Sequence, residues 1–253
     1  MKTITQKMVL AGFIGMGLIA FNSCAKEKMD PQSAKFESIL DVTEIGASSI
    51  IANNLEAVVP ETVVSGETEL NILLNMKEEE KLARDVYTAL NLKWNNTVFS
   101  NISVAENTHM NAVIFLLQNY GSDYTSVLEP GQFTNSAFQI LYGELVAKGS
   151  VSPEEAWKVG ALIEEMDITD LAGSLDKVTD ESIIIVFENL EKGSRNHLRS
   201  FTRQLMLLGL TYTPVYLSTD EYNQIISSPT EAGKQYQLNG NGKGRSGKRI
   251  CNQ

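Results

Sequence analysis

The chain has 253 residues, of which 43% are hydrophobic, so it can form a folded domain and is not disordered throughout. Its 21 Lys and Arg residues against 31 Asp and Glu residues give a net charge of -10. This charge argues against a nucleic-acid-binding protein, because such proteins need a basic surface. An acidic chain suits cation binding, although most acidic proteins bind no metal.

The first 23 residues resemble the signal peptide of a bacterial lipoprotein. Lys2 and Lys7 precede the apolar run Met8–Phe21, which is shorter than the roughly 20 residues of a transmembrane helix. Cys24 follows the run and is the expected lipidation site and mature N-terminus. We therefore expect an exported lipoprotein of the cell membrane or outer membrane, facing the periplasm or cell surface. An ordinary signal peptide with an incidental cysteine is the alternative. Cys251 is the only other cysteine, so no disulfide framework is expected.

Composition divides the rest of the chain into three parts. Residues 24–66 are turn-rich, with Pro31 and Pro60, and are predicted to form a tether with room for one short helix. Residues 67–215 carry the helical patterns and are the predicted folded body. Residues 216–253 include a Gly-rich basic segment that cannot build a core, so they are predicted to be a flexible tail.

Hydrophobic spacing and capping signals predict four long helices and one short helix in the folded body. In chain order they span about 67–90, 100–120, 135–148, 152–171 and 179–208. Glu67 and Glu69 form an acidic first turn, and Ser100 is the predicted cap of the second helix. Ser152 and Glu155 form a capping box at the start of the third long helix. The short helix lies in a long crossover between the second and third long helices. That order predicts an all-α fold, a ferritin-like four-helix bundle with an extra crossover helix.

Polar residues interrupt the apolar face of each long helix at a similar depth. These residues are Glu80, Glu106, His109, Glu164 and His197. A buried carboxylate is unfavourable unless it is paired or bound to a metal, so a shared metal site is the common explanation. Glu106 and His109 are three residues apart and project from one helix face, where both can reach one ion. Carboxylates with one imidazole per metal favour iron, with manganese as the alternative, and two histidines on different helices indicate two ions.

Each part of this pattern also has a purely structural interpretation. Glu106 could complete a capping box begun by Ser103. The run Glu78–Lys81 could be a solvated helix face from which only Glu80 points inward. His197 could be a hydrogen-bonded core histidine. The metal site is favoured because polar residues fall at one depth on all four helices.

Three motifs resemble those of a known class of iron proteins. Glu80–Tyr87 and Glu106–His109 are similar to the E-x-x-A-R-x-x-Y and E-x-x-H motifs of rubrerythrins, and Glu164–Asp167 resembles their E-x-x-E motif. With Gly193–Arg199, and over about Leu70–Leu208, the chain more closely resembles the ferritin-like family called domain of unknown function 2202. The resemblance implies a ferritin-like bundle that holds iron through motif residues.

The resemblance also implies a ligand set. The implied ligands are Glu80, Glu106, His109, Glu164, Asp167 and His197. Ser194 stands three residues before His197, where the di-iron pattern has a glutamate. Asp167, one turn beyond Glu164, is expected to supply the missing oxygen, with Asp170 as a more distant candidate. Arg84, Arg195 and Arg199 are candidate partners of the carboxylates, with ordinary surface arginines as the default alternative.

Two hypotheses about function follow from the metal pattern. The first is a di-iron oxidoreductase outside the cytoplasm that oxidises Fe(II) or reduces peroxide. The chain has no Cys-x-x-Cys, so its electrons must come from an external donor or from Fe(II) itself. The second is a lipid-anchored module that binds a metal or a partner without catalysis. The expected partners are metal ions and the membrane, with no nucleic acid, and a homodimer is left open.

Overall fold

The computed structural model describes residues 39–43, 47–59, 66–121, 123 and 125–231. These residues are mostly helical, as expected for an all-α chain. In chain order the elements are β1 (Leu40–Val42), β2 (Ser48–Ile50), α1 (Ala52–Val58), α2 (Glu67–Trp94), α3 (Thr97–Asn119), α4 (Ser136–Gly149), α5 (Pro153–Leu175), α6 (Glu181–Leu207) and α7 (Thr219–Ser227). The predicted signal peptide and Cys24 lie outside the described residues. None of the described helices is long and apolar enough to cross a membrane.

The four long helices form a helical bundle made of two hairpins. Helix α2 packs along α3, α5 packs along α6, and α4 crosses outside against α2 and α5. One apolar cluster surrounds Tyr87, Phe99 and Phe201, and the other surrounds Met76 and Phe187. Since Met76 and Tyr87 lie on the same helix, the intervening turns of α2 pass between the two clusters. A layer of buried polar residues occupies that middle level.

The helix boundaries confirm most of the sequence prediction, with one clear shift. Helix α3 begins at Thr97 with Asn96 as its cap, whereas Ser100 was predicted to be the cap. Asn95 adopts the left-handed conformation at the end of α2, so the chain reverses within two residues. Ser152 caps α5 as predicted, accepting a hydrogen bond from the Glu155 amide at 3.1 Å. The short crossover helix α4 is also present.

Part of the predicted tether packs against the bundle. Strands β1 and β2 form an antiparallel hairpin in which Leu40 pairs with Ile50, and the hairpin contacts α3 and α6. Ile39 and Leu40 are fully buried in the same cluster as Phe187. The tether prediction was therefore wrong for these residues, because their apolar side chains cover the bundle.

The predicted flexible tail also contains ordered structure. Helix α7 begins after Ser218, whose hydroxyl and Glu221 form a capping box. Farther along, the Glu231 carboxylate accepts hydrogen bonds from Arg195 at 2.7 and 2.9 Å and from Arg199 at 2.7 Å. The tail prediction was therefore wrong for residues 216–231, which hydrogen bonds to Glu165, local capping and ion pairs hold in place. Residues 232–253 lie outside the described part.

The charged run at the centre of α2 is buried and does not form a solvated face. The Lys81 ammonium donates to Asp85 at 2.5 Å, and Asp85 also accepts a hydrogen bond from the Gly131 amide at 2.9 Å. Glu78 accepts one from the Thr134 amide at 3.0 Å. These charges hold the crossover segment against α2, which is why they are buried.

Candidate metal centre

All six predicted ligands lie in the polar layer at the middle of the bundle. Their exposed fractions are 1% for Glu80, 1% for Glu106, 0% for His109, 1% for Glu164, 5% for Asp167 and 0% for His197. Helix α3 contributes two of them from one face, as the Glu-x-x-His spacing predicts. The alternative in which Glu106 completes a capping box is wrong, since Ser103 lies inside α3 and its hydroxyl donates to the Ser100 carbonyl.

Five of the six side chains form two groups that share Glu106. Around His109, the Nδ1 atom lies 2.9 Å from Glu106 Oε2 and 3.4 Å from Glu80 Oε2. Around His197, the Nδ1 atom lies 2.8 Å from Glu106 Oε1 and 3.5 Å from Glu164 Oε2. The two imidazole rings are nearly parallel, with centroids 5.4 Å apart and an angle of 17° between their planes. One oxygen of Glu106 therefore belongs to each group.

The contacts in the first group have metal-ligand spacing without hydrogen-bond geometry. No hydrogen bond reaches either nitrogen of His109 or either oxygen of Glu80, although all four atoms are buried. Two ligand atoms that each lie about 2.1 Å from one ion are separated by about 3.0–3.4 Å at octahedral or tetrahedral angles. The two distances from His109 Nδ1, 2.9 and 3.4 Å, are close to that range. Each group also holds three potential ligand atoms within 4.8 Å of one another. The residues therefore fit a pair of ions.

The pKa values follow from crowding these charges into an apolar interior. Burial raises the pKa of Glu80 to about 8 and that of Glu164 to about 7, despite the opposing effect of the neighbouring histidines. Burial disfavours the charged form of His109, but the carboxylates of Glu80 and Glu106 outweigh it and raise its pKa to about 10. Burial also acts on Glu106, yet the two histidines hold its pKa well below the ordinary range. The carboxylates therefore need positive charge beside them, which protons on the histidines or bound cations can supply.

The chain matches an uncharacterized protein domain, DUF2202, over residues 69–229. It belongs to the DUF2202 family. The match begins in α2 and ends just after α7, so it contains every residue of the two groups and helix α7 of the predicted tail.

A protein of Methanocaldococcus jannaschii is similar to this chain over most of its own length. The uncharacterized protein MJ0754 of Methanocaldococcus jannaschii is 50% identical over 168 residues, which are 66% of this chain and 91% of the relative. The crystal structure of hypothetical protein MJ0754 from Methanococcus jannaschii DSM 2661 matches with a TM-score of 0.63 and 48% identity. That match covers 68% of this chain and 98% of the other.

Asp167 lies beside the two groups of ligand atoms and belongs to neither. The Ser194 hydroxyl donates a hydrogen bond to Asp167 Oδ2, so Asp167 does face the position where the di-iron pattern has a glutamate. Burial and the charges of Glu80, Glu106 and Glu164 raise its pKa well above the ordinary value. Its role as a metal ligand stays a prediction.

The three arginines pair with other residues than the predicted ligands. Arg84 Nε donates to Asp85 Oδ1 at 2.8 Å, while Arg195 and Arg199 bind Glu231. The prediction that they pair with ligand carboxylates was therefore wrong. Arg195 also pairs with Glu191 at 3.1 Å, and this four-residue spacing could be seen in the sequence. The contacts with Glu231 join distant segments and leave no such pattern.

Two further residues shape the site without having been predicted as ligands. Tyr87, in the first motif, donates its hydroxyl to Glu164 Oε1 at 2.6 Å, and its ring packs 5.1 Å from that of Phe201. Gly193 lies where α6 passes His109, and a Cβ atom there would come within 2.6 Å of the imidazole Cε1. The glycine beside Ser194 in the last motif is the one signal that sequence offered for this close approach.

Proposed function

We propose that the protein is a ferritin-like di-metal carboxylate protein, related to rubrerythrins, that oxidises Fe(II) or reduces peroxide outside the cytoplasm. The observation that carries the proposal is Glu106, whose two oxygens each lie within 3 Å of a different histidine. A carboxylate in that position can be shared by two ions. The oxygen-rich set with one imidazole per ion favours iron, with manganese as the alternative.

Each ion would have its own set of ligands, with one residue shared between the two sets. Glu80 and His109 would hold one ion, Glu164 and His197 the other, and Glu106 would contribute an oxygen to each. Two redox-active ions held close together would supply the two electrons that reduce peroxide to water, or O2 to peroxide. With Fe(II) as substrate, the same ligands would bind the ion that is oxidised.

Residues around the ligands support this role by fixing orientation and excluding water. The Tyr87 hydroxyl holds one oxygen of Glu164 and leaves the other directed toward His197. Phe99 and Phe201 lie against the Tyr87 ring in the apolar cluster next to the polar layer. A dry, fixed surrounding keeps the charges of the site strong and discourages side reactions.

The proposed location depends on the N-terminal sequence. The basic and apolar run before Cys24 supports export and lipid anchoring, and an acylated cysteine would keep the bundle at a membrane surface. Peroxide or Fe(II) outside the cytoplasm would then reach the protein directly, and an external donor would supply electrons.

A non-catalytic metal-binding module is the second candidate function. Ser194 favours it, since its hydroxyl is hydrogen bonded to Asp167 where the di-iron pattern has a glutamate. A centre with fewer carboxylates binds its second ion less strongly, and a protein holding one ion would store or deliver it without two-electron chemistry.

Metal analysis with peroxide turnover tests both candidates. Protein purified without chelator is expected to contain about two iron ions per chain, and His109→Ala or His197→Ala to lose metal and turnover together. Thr202→Val is the control, because Thr202 is buried on α6 and bonds only carbonyls of its own helix. Fewer than one ion per chain would refute the metal proposal, and turnover no faster than that of free iron would leave the non-catalytic module.

A further inference from the structure

A second group of carboxylates lies between α2 and α5, next to the candidate centre. Glu79 is only 6% exposed, and neither of its oxygens receives a hydrogen bond. The charged groups that face it from α5 are Asp167 and Asp170, with Glu80 beside it on α2. The Oδ1 atom of Asp167, pointing away from its bond with Ser194, is also buried without a donor. Three buried carboxylate oxygens without an N–H or hydroxyl donor, two on Glu79 and one on Asp167, are unfavourable unless a cation or a shared proton lies beside them.

Asp170 connects this group to the surface, because it also lines a cleft of about 450 Å³ between the same two helices. Asn71 and Asn75 line the cleft from α2, and Asp170 and Ser174 line it from α5. Residues four apart share a helix face, so the line from Asn71 through Asn75 continues to Glu79. Asp170 is likewise followed inward by Asp167, one turn along α5. Oxygen-bearing side chains therefore line both walls between solvent and the buried carboxylates, and Lys177 is the one basic residue among the described residues that line the cleft.

The two helices run in opposite directions, so both lines lead to the candidate centre. Tyr87 contacts Gly160 and Glu164 near one end of the pairing, whereas Glu79 faces Asp167 and Asp170 nearer the other. On α2, the candidate ligand Glu80 lies one residue beyond Glu79. On α5, the candidate ligand Glu164 lies one turn beyond Asp167, farther from the cleft. The second carboxylate group is thus located between the cleft and the centre.

We propose that Glu79, Asp167 and Asp170 form a further divalent-cation site through which hard cations pass from the cleft to the central carboxylates and histidines. An all-oxygen set without imidazole suits Mn(II) or Fe(II) and holds them less tightly than a site with histidine. Weak binding is what a transfer site requires, because the ion must leave again. The destination of the ion rests on the proposed function, whereas the site itself rests on the buried, unpartnered oxygens.

Mn(II) binding, counted by electron paramagnetic resonance of the free ion, tests the site separately from the centre. The variant with both His109→Ala and His197→Ala is expected to retain about one Mn(II) per chain, and adding Glu79→Gln to remove it. If this double variant binds no Mn(II), or if Glu79→Gln changes nothing, the site does not exist. If the wild-type protein binds no more Mn(II) than the double variant, the proposed function fails and the further site remains.

The rate of Co(II) loading, followed by its visible absorption in stopped flow, tests the path. Glu79→Gln and Asp170→Asn are expected to slow loading of the histidine-containing centre about tenfold, since carboxylates along a cleft concentrate cations, with the final absorption unchanged. Asp176→Asn is the matched control, because Asp176 is an exposed residue at the end of the same helix and does not line the cleft. Loading of the two cleft variants at the wild-type rate would refute the path.

Discussion

Gly193→Ala is expected to weaken metal binding more than it changes the stability of α6. In a helix, alanine is favoured over glycine by about 1 kcal/mol, so the change alone should stabilise α6. The added Cβ would lie 2.6 Å from Cε1 and 2.8 Å from Nε2 of His109. Ordinary contact requires about 3.5 Å, so the ring must retreat by roughly 1 Å. Displacing a packed ring typically costs about 1–3 kcal/mol, which should cancel or exceed the helix gain.

Displacement of the His109 ring should affect metal binding more than it affects the stability of the fold. His109 Nδ1 lies 2.9 Å from Glu106 and 3.4 Å from Glu80, and moving the ring breaks both alignments. Metal–ligand distances tolerate only about 0.2 Å of change, so we expect affinity to fall about 10- to 100-fold. Co(II) titration by absorbance and thermal unfolding by circular dichroism measure the two effects on the same protein.

Gly143→Ala provides the matched control. Gly143 lies in the interior of α4, and a Cβ atom there would meet nothing within 4 Å. It should raise the melting temperature by about 2–4 °C and leave Co(II) affinity unchanged. If Gly193→Ala raised the melting temperature equally and kept wild-type affinity, the packing of His109 against α6 would not position a ligand.

Three other changes test separate contacts. Asp85→Asn leaves the buried Lys81 ammonium without its charged partner, so the free energy of unfolding should fall by about 3 kcal/mol in urea titrations. A loss below about 1 kcal/mol would contradict the conclusion that Lys81 and Asp85 hold the crossover segment against α2. Glu231→Gln should lower the melting temperature at pH 7. Burial opposes the charge of Glu231, but two arginines of α6 hold its pKa below the ordinary value. Its stabilisation is therefore present above about pH 4 and lost as pH falls, and a difference from wild type that did not shrink on acidification would refute the pairing. Cys24→Ser should release the protein from the membrane fraction or leave its signal uncut, and unchanged retention with normal processing would disprove lipidation.

Helices and inward-facing polar residues were predictable because both depend on local spacing. Glu106 and His109 lie on one turn of α3, and that relation holds in any helix that contains them. His197 could be placed at the same depth by counting turns along α6. What spacing could not give was the sharing of Glu106 between both histidines, which depends on how α6 packs against α3.

The remaining differences come from contacts between distant parts of the chain. A run such as Glu78–Lys81 normally indicates solvent exposure. Here the crossover covers Glu78 and Lys81, while Glu79 and Glu80 face other helices of the bundle. Ile39 and Leu40 gave too short an apolar signal to predict a hairpin, since their burial requires the finished bundle. Sequence analysis did not single out Glu79, because only one of two adjacent helical residues can face the centre and Glu80 occupies that position.

The segment after α6 sets a lower limit on how far the protein can be shortened. Glu165 is fully buried, and its Oε2 atom accepts hydrogen bonds from the amides of Val215, Tyr216 and Leu217 at 2.9, 2.9 and 3.0 Å. A chain cut after residue 210 would retain all four long helices and still lose these three donors. The segment Val215–Leu217 therefore satisfies a buried carboxylate that the four long helices alone leave without donors. A fragment meant for crystallography or engineering must extend past Leu217.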